Sequence, residues 1–150
     1  MTSFRFPLER LRALRERGED LAKQELAGAM RRQAHCAERL RAMGEQVADA
    51  FAAQRAAAGG AVAANAADLA AHQAYLERME QVREAGRLDL DRHDAEVDAR
   101  RDALREAARQ RQALERLKER RRVDHDRAVA RAEGAVLDEI ALTQHRRSAS

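Results

Sequence analysis

The chain has 150 residues, of which 37% are charged and 45% apolar, with only three Phe, one Tyr and no Trp. This composition argues against a thick globular core, which draws on aromatic and β-branched side chains, and favours long helices, because Ala, Arg, Glu and Leu are strong helix formers. The formal charge is only +3, and such a balance does not indicate a nucleic-acid-binding protein.

The compartment is predicted from what the sequence lacks. Residues 1–10 hold two arginines and no apolar run, so no signal peptide is predicted, and no stretch approaches the roughly 20 apolar residues of a membrane span. The single cysteine, Cys36, fits a reducing compartment. We therefore expect a cytoplasmic protein.

The first predicted element is a helix over residues 7–58. Pro7 is the only proline, and it stands where a helix tolerates proline because the first helical amide has no partner. Alternating steps of three and four residues, which hold one helix against another, predict an apolar seam. Its members are Leu26, Met30, Gln33, Ala37, Leu40, Gly44, Val47 and Phe51, with an offset run at Leu11, Leu14, Gly18 and Leu21.

The next predicted element is a turn or short helix over residues 59–68. It lies in an alanine-rich stretch, residues 52–74, which holds 13 alanines and the Gly59-Gly60 pair. Asn65 and Asp68 are residue types that cap helices. The chain is expected to reverse direction somewhere in residues 52–74.

A second helix is predicted over residues 69–144. A matching seam runs through Tyr75, Met79, Val82 and Gly86 and resumes after a stutter as Leu90, His93, Val97, Arg100, Leu104, Ala107, Arg111 and Leu114. Two stripes of similar length joined by one break predict an all-α fold, a long antiparallel two-helix coiled-coil hairpin. The whole chain, residues 1–150, is expected to form this one domain.

The sequence offers little for catalysis. The acidic run at residues 89–94 lacks the glycine and the terminal glutamate of a calcium loop, and the five histidines show no pairing of two ligand residues at helical spacing. There is no phosphate-binding loop and no evident nucleophile. We expect no catalytic residue, metal or cofactor, and rank an enzymatic function last.

Two surface features have competing interpretations. Residues 109–122 hold seven basic residues and two glutamates, so they form either an acid-binding patch or an ordinary solvated face; nucleic acid is disfavoured because aromatic stacking platforms are missing. Phe51 and Tyr75 flank the predicted turn, either as core residues or as an exposed adhesive patch.

Three stretches together resemble the FliJ family of the flagellar type III export apparatus. The opening Phe4-Arg5-Phe6-Pro7-Leu8-Glu9-Arg10-Leu11 is similar to the family's amino-terminal signature. Residues 73–80, Gln-Ala-Tyr-Leu-Glu-Arg-Met-Glu, resemble its central segment, and residues 114–120, Leu-Glu-Arg-Leu-Lys-Glu-Arg, resemble its carboxy-terminal part.

The resemblance implies a non-enzymatic cytoplasmic hairpin, like the stalk of a rotary ATPase, associated peripherally with the inner face of the cell membrane. Its implied partners are the hexameric export ATPase FliI, the export gate FlhA and substrate chaperones, with no nucleic acid. The implied ATPase-binding residues are Leu8, Glu9, Arg12, Arg15, Arg120, Arg121, Asp138 and Glu139. The implied gate-binding residues are Leu40, Val47, Phe51, Tyr75, Met79 and Val82.

An alternative function stays open at this point. The same coiled-coil pattern suits a chaperone or scaffold of a virulence-type secretion system, or of another assembly, that holds its clients without coupling to an ATPase. Flagellar export genes beside this one would favour the first interpretation.

Overall fold

The computed structural model describes residues 3–59 and 65–148, and within them the only regular elements are two helices, α1 (Glu9–Ala58) and α2 (Ala66–Ser148). The contacts between the helices are antiparallel, so the predicted all-α hairpin is confirmed. α1 ends at Ala58 and α2 begins at Ala66, both inside the window predicted for the reversal. Residues 60–64, half of the predicted turn, lie outside the described residues.

Both helices begin at recognisable start signals. The amide of Glu9 donates to the carbonyl oxygen of Phe6 at 3.2 Å, and the amide of Arg12 donates to that of Leu8 at 2.9 Å, so Pro7 stands just ahead of the first turn. The Asn65 side chain accepts a hydrogen bond from the amide of Ala67 at 3.2 Å. This capping bond satisfies one of the free amides of the first turn, and α2 begins at Ala66 rather than at residue 69.

The chain divides into two compact units, each containing a segment of both helices. Unit 1 combines the chain up to Asp20 with the chain from Arg105 onward, and unit 2 comprises Leu21–Leu104. In unit 2, Glu25 pairs with Arg100 at 2.7 Å and Arg32 with Glu96 at 2.6 Å. Residue numbers rise along α1 while those of the α2 partners fall, as in an antiparallel pair of helices.

The seam of unit 2 holds both small and large side chains. Its buried apolar residues are Ala29, Cys36, Val47, Leu76 and Val97. Buried and half-buried positions follow steps of three and four along α1, at 22, 26, 29, 33, 36, 40, 43, 47, 50 and 54, and along α2, at 72, 76, 79, 83, 86, 90, 93, 97, 100 and 104. Neither run contains a skip.

The predicted seam of unit 2, from Leu26 to Phe51 on α1 and from Tyr75 to Leu104 on α2, is buried or half-buried at 13 of its 17 positions and wrong at the other four. Met30 and Phe51 are 45% and 39% exposed, and Tyr75 and Val82 are 42% and 48% exposed. At two of the four positions where prediction and structure differ on α1, the observed seam takes the smaller residue, Ala29 rather than Met30 and Ala50 rather than Phe51. At the other two it takes the larger residue, Cys36 rather than Ala37 and Met43 rather than Gly44, so side-chain size alone does not set the phase.

Unit 1 reverses the usual pattern, because polar side chains lie between its helices. Glu19 is buried and pairs with Arg111, while Leu11 and Leu14 are 37% and 61% exposed. The predicted seam of leucines is therefore wrong here as well. Cross-helix ion pairs form on the face where the prediction places apolar contacts.

The carboxy-terminal part of α2 exposes several large apolar side chains. Glu9, the first residue of α1, pairs with Lys118, and α2 continues from there to Ser148. The exposed apolar side chains in this part are Val123, Val136, Leu137, Ile140 and Leu142. No helix in the described residues has a stretch long and apolar enough to cross a membrane.

Candidate interaction surfaces

A cluster of charged side chains joins the two helices of unit 1. Arg12 donates to Glu9 and to Glu115, both at 2.8 Å, and Lys118 donates to Glu9 at 3.0 Å. One turn further along α1, Arg15 donates to the Gln110 side chain at 2.7 Å. These bonds tie the first two turns of α1 to α2 and fix their register.

The cluster shifts the pKa values of its members. Hydrogen bonds from Arg12 and then Lys118 lower the pKa of Glu9, and hydrogen bonds to Glu9 and then Glu115 raise the pKa of Arg12 above its usual range. Hydrogen bonding to Glu19 likewise raises the pKa of Arg111. Each pairing favours the charged form of the group whose pKa it shifts.

The lowered pKa of Glu9 predicts a stability change in acid. A carboxyl group whose pKa falls on folding contributes stability above its unfolded value, and this contribution is lost as pH falls through the folded value. We expect Glu9→Gln to reduce the thermal midpoint near neutral pH and to flatten its decline in acid. Thermal unfolding of both proteins across the acid range, followed by circular dichroism, measures the difference.

The matched control is Glu133→Gln, which removes an exposed carboxylate of α2 that has no hydrogen bond or ion pair with a described residue. It should leave the acid dependence as in the unmodified chain. An equal change in both variants would show that the Glu9 pairs contribute nothing specific.

The predicted ATPase-binding residues all lie in unit 1 but in two different settings. Glu9 and Arg12 belong to the ion-pair cluster, Arg15 is exposed beside it, and Leu8 is half-buried at the start of α1. The other four are exposed on α2: Arg120, Arg121, Asp138 and Glu139.

Arg120 and Arg121 are the exposed members of this set with free guanidinium groups. Neither makes a hydrogen bond or ion pair with another residue in the described part of the chain. They follow Lys118, the α2 residue that pairs with Glu9. They are thus available to carboxylates of another molecule.

The segment before α1 packs against α2 through aromatic side chains. Phe6 is 8% exposed, and the ring centroids of Phe4 and His125 lie 5.6 Å apart at an interplanar angle of 60°. This tilted arrangement is favourable for aromatic rings. It links the amino-terminal segment to α2.

The predicted gate-binding residues lie in unit 2 and divide by burial. Val47 is 3% exposed, and Leu40 and Met79 are half-buried, so these three contribute to the seam. Phe51, Tyr75 and Val82 are exposed. Tyr75 and Val82 are seven residues apart on α2 and share one face of the helix.

Sequence reasoning missed one cluster in unit 2. Cys36, Asp89 and His93 place a thiol, a carboxylate oxygen and an imidazole nitrogen all within 4.8 Å of one another. Burial, and then the charge of Asp89, raise the pKa of the Cys36 thiol. The spacing of Asp89 and His93 was a signal in the sequence, but the part played by Cys36 depends on the register of the two helices.

Comparison with known proteins identifies the family. The sequence matches the family described as flagellar FliJ protein over residues 4–150. The chain belongs to this family. The predicted resemblance is confirmed, and FliJ membership makes the chain a component of the flagellar export apparatus. No curated protein and no solved structure gives a significant match.

The FliJ match covers both units. It includes Phe4 and Phe6, the ion-pair cluster, the exposed arginines and the cysteine cluster. Membership therefore rests on the sequence of both units rather than on a single coiled-coil segment that any helical protein could share.

Proposed function

We propose that this chain is a non-enzymatic part of the flagellar type III export apparatus, acting as the stalk of the export ATPase. Unit 1 binds within the hexameric ring of FliI, and unit 2 contacts the export gate FlhA and substrate chaperones. The protein works in the cytoplasm and associates with the inner face of the membrane through the gate. As a single domain it links hydrolysis by its partner to export.

The observation that carries this proposal is that Arg120 and Arg121, in unit 1 of a FliJ-family chain, are exposed and make no hydrogen bond or ion pair with another described residue. Arg120 and Arg121 project from a helix that the Glu9, Arg12 and Lys118 pairs hold against its neighbour. Guanidinium groups recognise carboxylates through two parallel hydrogen bonds. The arrangement suits an acidic protein surface.

A stalk in a ring meets successive subunits in turn. Its contacts must therefore be similar on each subunit and weak enough to exchange, and solvent-exposed charge pairs have this property. Asp138 and Glu139 supply the opposite sign on the same helix. Leu8, Glu9, Arg12 and Arg15 complete the proposed contact at the start of α1, where Glu9 and Arg12 also hold its shape.

The gate contact is proposed for the exposed apolar side chains of unit 2. Phe51, Tyr75 and Val82 present apolar area to solvent, and aromatic side chains in such positions are frequent anchors of protein interfaces. Leu40, Val47 and Met79 lie in the seam and support this surface.

Charge reversal tests the ATPase contact. We expect Arg120→Glu combined with Arg121→Glu and Glu139→Lys to raise the concentration needed for half-maximal stimulation of FliI by about tenfold or more, since like charges facing each other across an interface repel. The measurement is ATP hydrolysis by purified FliI at increasing concentrations of this protein. Circular dichroism checks that the variant remains helical.

The matched control reverses two exposed arginines of unit 2, Arg78→Glu with Arg92→Glu. These residues lie outside the proposed contact, so stimulation should stay as in the unmodified protein. Undiminished stimulation by the helical unit 1 variant would remove the ATPase contact and favour a scaffold without coupling to hydrolysis.

A further inference from the structure

A cluster of three side chains in unit 2 has the composition of a transition-metal site. We propose that Cys36, Asp89 and His93 bind one Zn²⁺ ion between α1 and α2, with water in the fourth position. The inference does not rest on the proposed function.

The ligand atoms are close to the positions that a metal requires. The Cys36 Sγ lies 3.7 Å from the Asp89 Oδ2, which lies 4.0 Å from the His93 Nε2. Zinc bond lengths of about 2.0–2.3 Å in tetrahedral geometry place neighbouring ligand atoms roughly 3.2–3.7 Å apart. Small side-chain rotations therefore suffice to close the site.

The two helices supply the ligands for simple geometric reasons. Asp89 and His93 are four residues apart, so they lie one turn apart on the same face of α2. Cys36 occupies a buried position of the α1 seam and also approaches the carbonyl oxygen of Gly86 at 3.9 Å. The antiparallel register thus brings a ligand of one helix to a ligand pair of the other.

A further carboxylate orients the imidazole. The His93 Nδ1 lies 3.7 Å from the Glu96 Oε2, and Glu96 is held by Arg32 at 2.6 Å. Imidazoles that bind a metal commonly direct their second nitrogen to a carboxylate. In this cluster Nε2, which faces Asp89, is the proposed metal ligand, and Nδ1 is the nitrogen that approaches Glu96.

The donor set selects the class of metal. A thiolate and an imidazole suit zinc and related ions, whereas calcium and magnesium prefer shells made entirely of oxygen ligands. On binding, the thiol proton passes to solvent, the Cys36 thiolate forms the metal–sulfur bond, and the ion loses water ligands. The bound ion would link α1 to α2 at the part of the seam where Gln33 and His93 are polar.

Binding is tested on the purified full-length chain after removal of adventitious metal with a chelator. Zinc is measured by equilibrium dialysis, and Co²⁺ is added as a spectroscopic substitute. We expect one zinc ion per chain, a thiolate-to-cobalt charge-transfer band in the near ultraviolet and visible bands typical of tetrahedral cobalt. No stoichiometric zinc, or a cobalt complex without the charge-transfer band, would overturn the proposal, whatever the variants show.

Substitutions then assign the ligands. Cys36→Ser should abolish the charge-transfer band, and His93→Gln should lower zinc affinity by at least a hundredfold. Glu96→Gln should lower it by about 10–100-fold, the range found for residues that orient metal ligands. The controls His35→Gln and Asp91→Asn change exposed neighbours and should leave affinity unchanged. Equal losses in the controls, or retained binding in a helical His93→Gln variant, would contradict the assignment.

Discussion

Val97→Asp should destabilise unit 2 by on the order of 3–5 kcal/mol, because it places an unpaired carboxylate in the seam between the helices. Val97 is 1% exposed. It lies between Glu96 and Arg100, whose partners Arg32 and Glu25 flank the equally buried Ala29 on α1. Urea unfolding followed by helical circular dichroism measures the loss of stability.

The matched control is the same substitution on the same helix, Val82→Asp. Val82 is 48% exposed, so its replacement should change the free energy of unfolding by no more than about 0.5 kcal/mol. The comparison distinguishes two assignments of the α2 seam, because the apolar spacing of the sequence places Val82 in the seam and the structure exposes it. A loss at Val82 as large as that at Val97 would favour the seam predicted from the sequence.

The two-helix fold was predictable because its determinants are local. After Pro7 no proline interrupts either helix, and alanine and the Gly59-Gly60 pair are concentrated in one stretch between two periodic segments. On α2 the seam from Gly86 through Leu114 was also predicted correctly, because Leu90, Val97, Leu104 and Leu114 define its period even though Arg100 and Arg111 are polar. Helix propensity and period were sufficient there.

The phase of the α1 seam was not predictable from hydrophobicity. Met30 and Ala29 are adjacent, and size favours Met30 as the buried residue, yet Ala29 is 1% exposed and Met30 is 45% exposed. The choice depends on how closely the backbones approach, which is a property of the helix pair rather than of either helix. The same holds in unit 1, because Glu9, Arg12 and Glu19 of α1 pair with charged side chains of α2.

The setting of the implied interaction residues could not be predicted. The FliJ resemblance places Arg12 and Arg120 in one implied surface, whereas in the structure Arg12 is tied to Glu9 and Glu115 and Arg120 is unpartnered within the described residues. The cysteine cluster shows the converse. Asp89 and His93 have helical spacing in the sequence, but Cys36 meets Asp89 only through the fold.

Two glycines inside α1 predict an increase in stability. Gly18 and Gly44 lie in the helix interior, and a Cβ atom added at either would meet nothing within 4 Å. Because alanine is favoured over glycine in helices by about 0.8–1.0 kcal/mol, each Gly→Ala substitution should raise the free energy of unfolding by about that amount. The double variant should gain roughly 2 kcal/mol if distant sites add independently.

Gly86→Ala is the matched comparison, because the same change meets a neighbour there. A Cβ atom at residue 86 would lie 3.3 Å from the Leu40 Cδ1 and 3.9 Å from the Met43 Sδ, so Leu40 must shift and part of the helix-propensity gain is lost to crowding. Urea unfolding should therefore rank Gly44→Ala above Gly86→Ala. The opposite order would indicate that residue 86 does not lie against Leu40 in the seam.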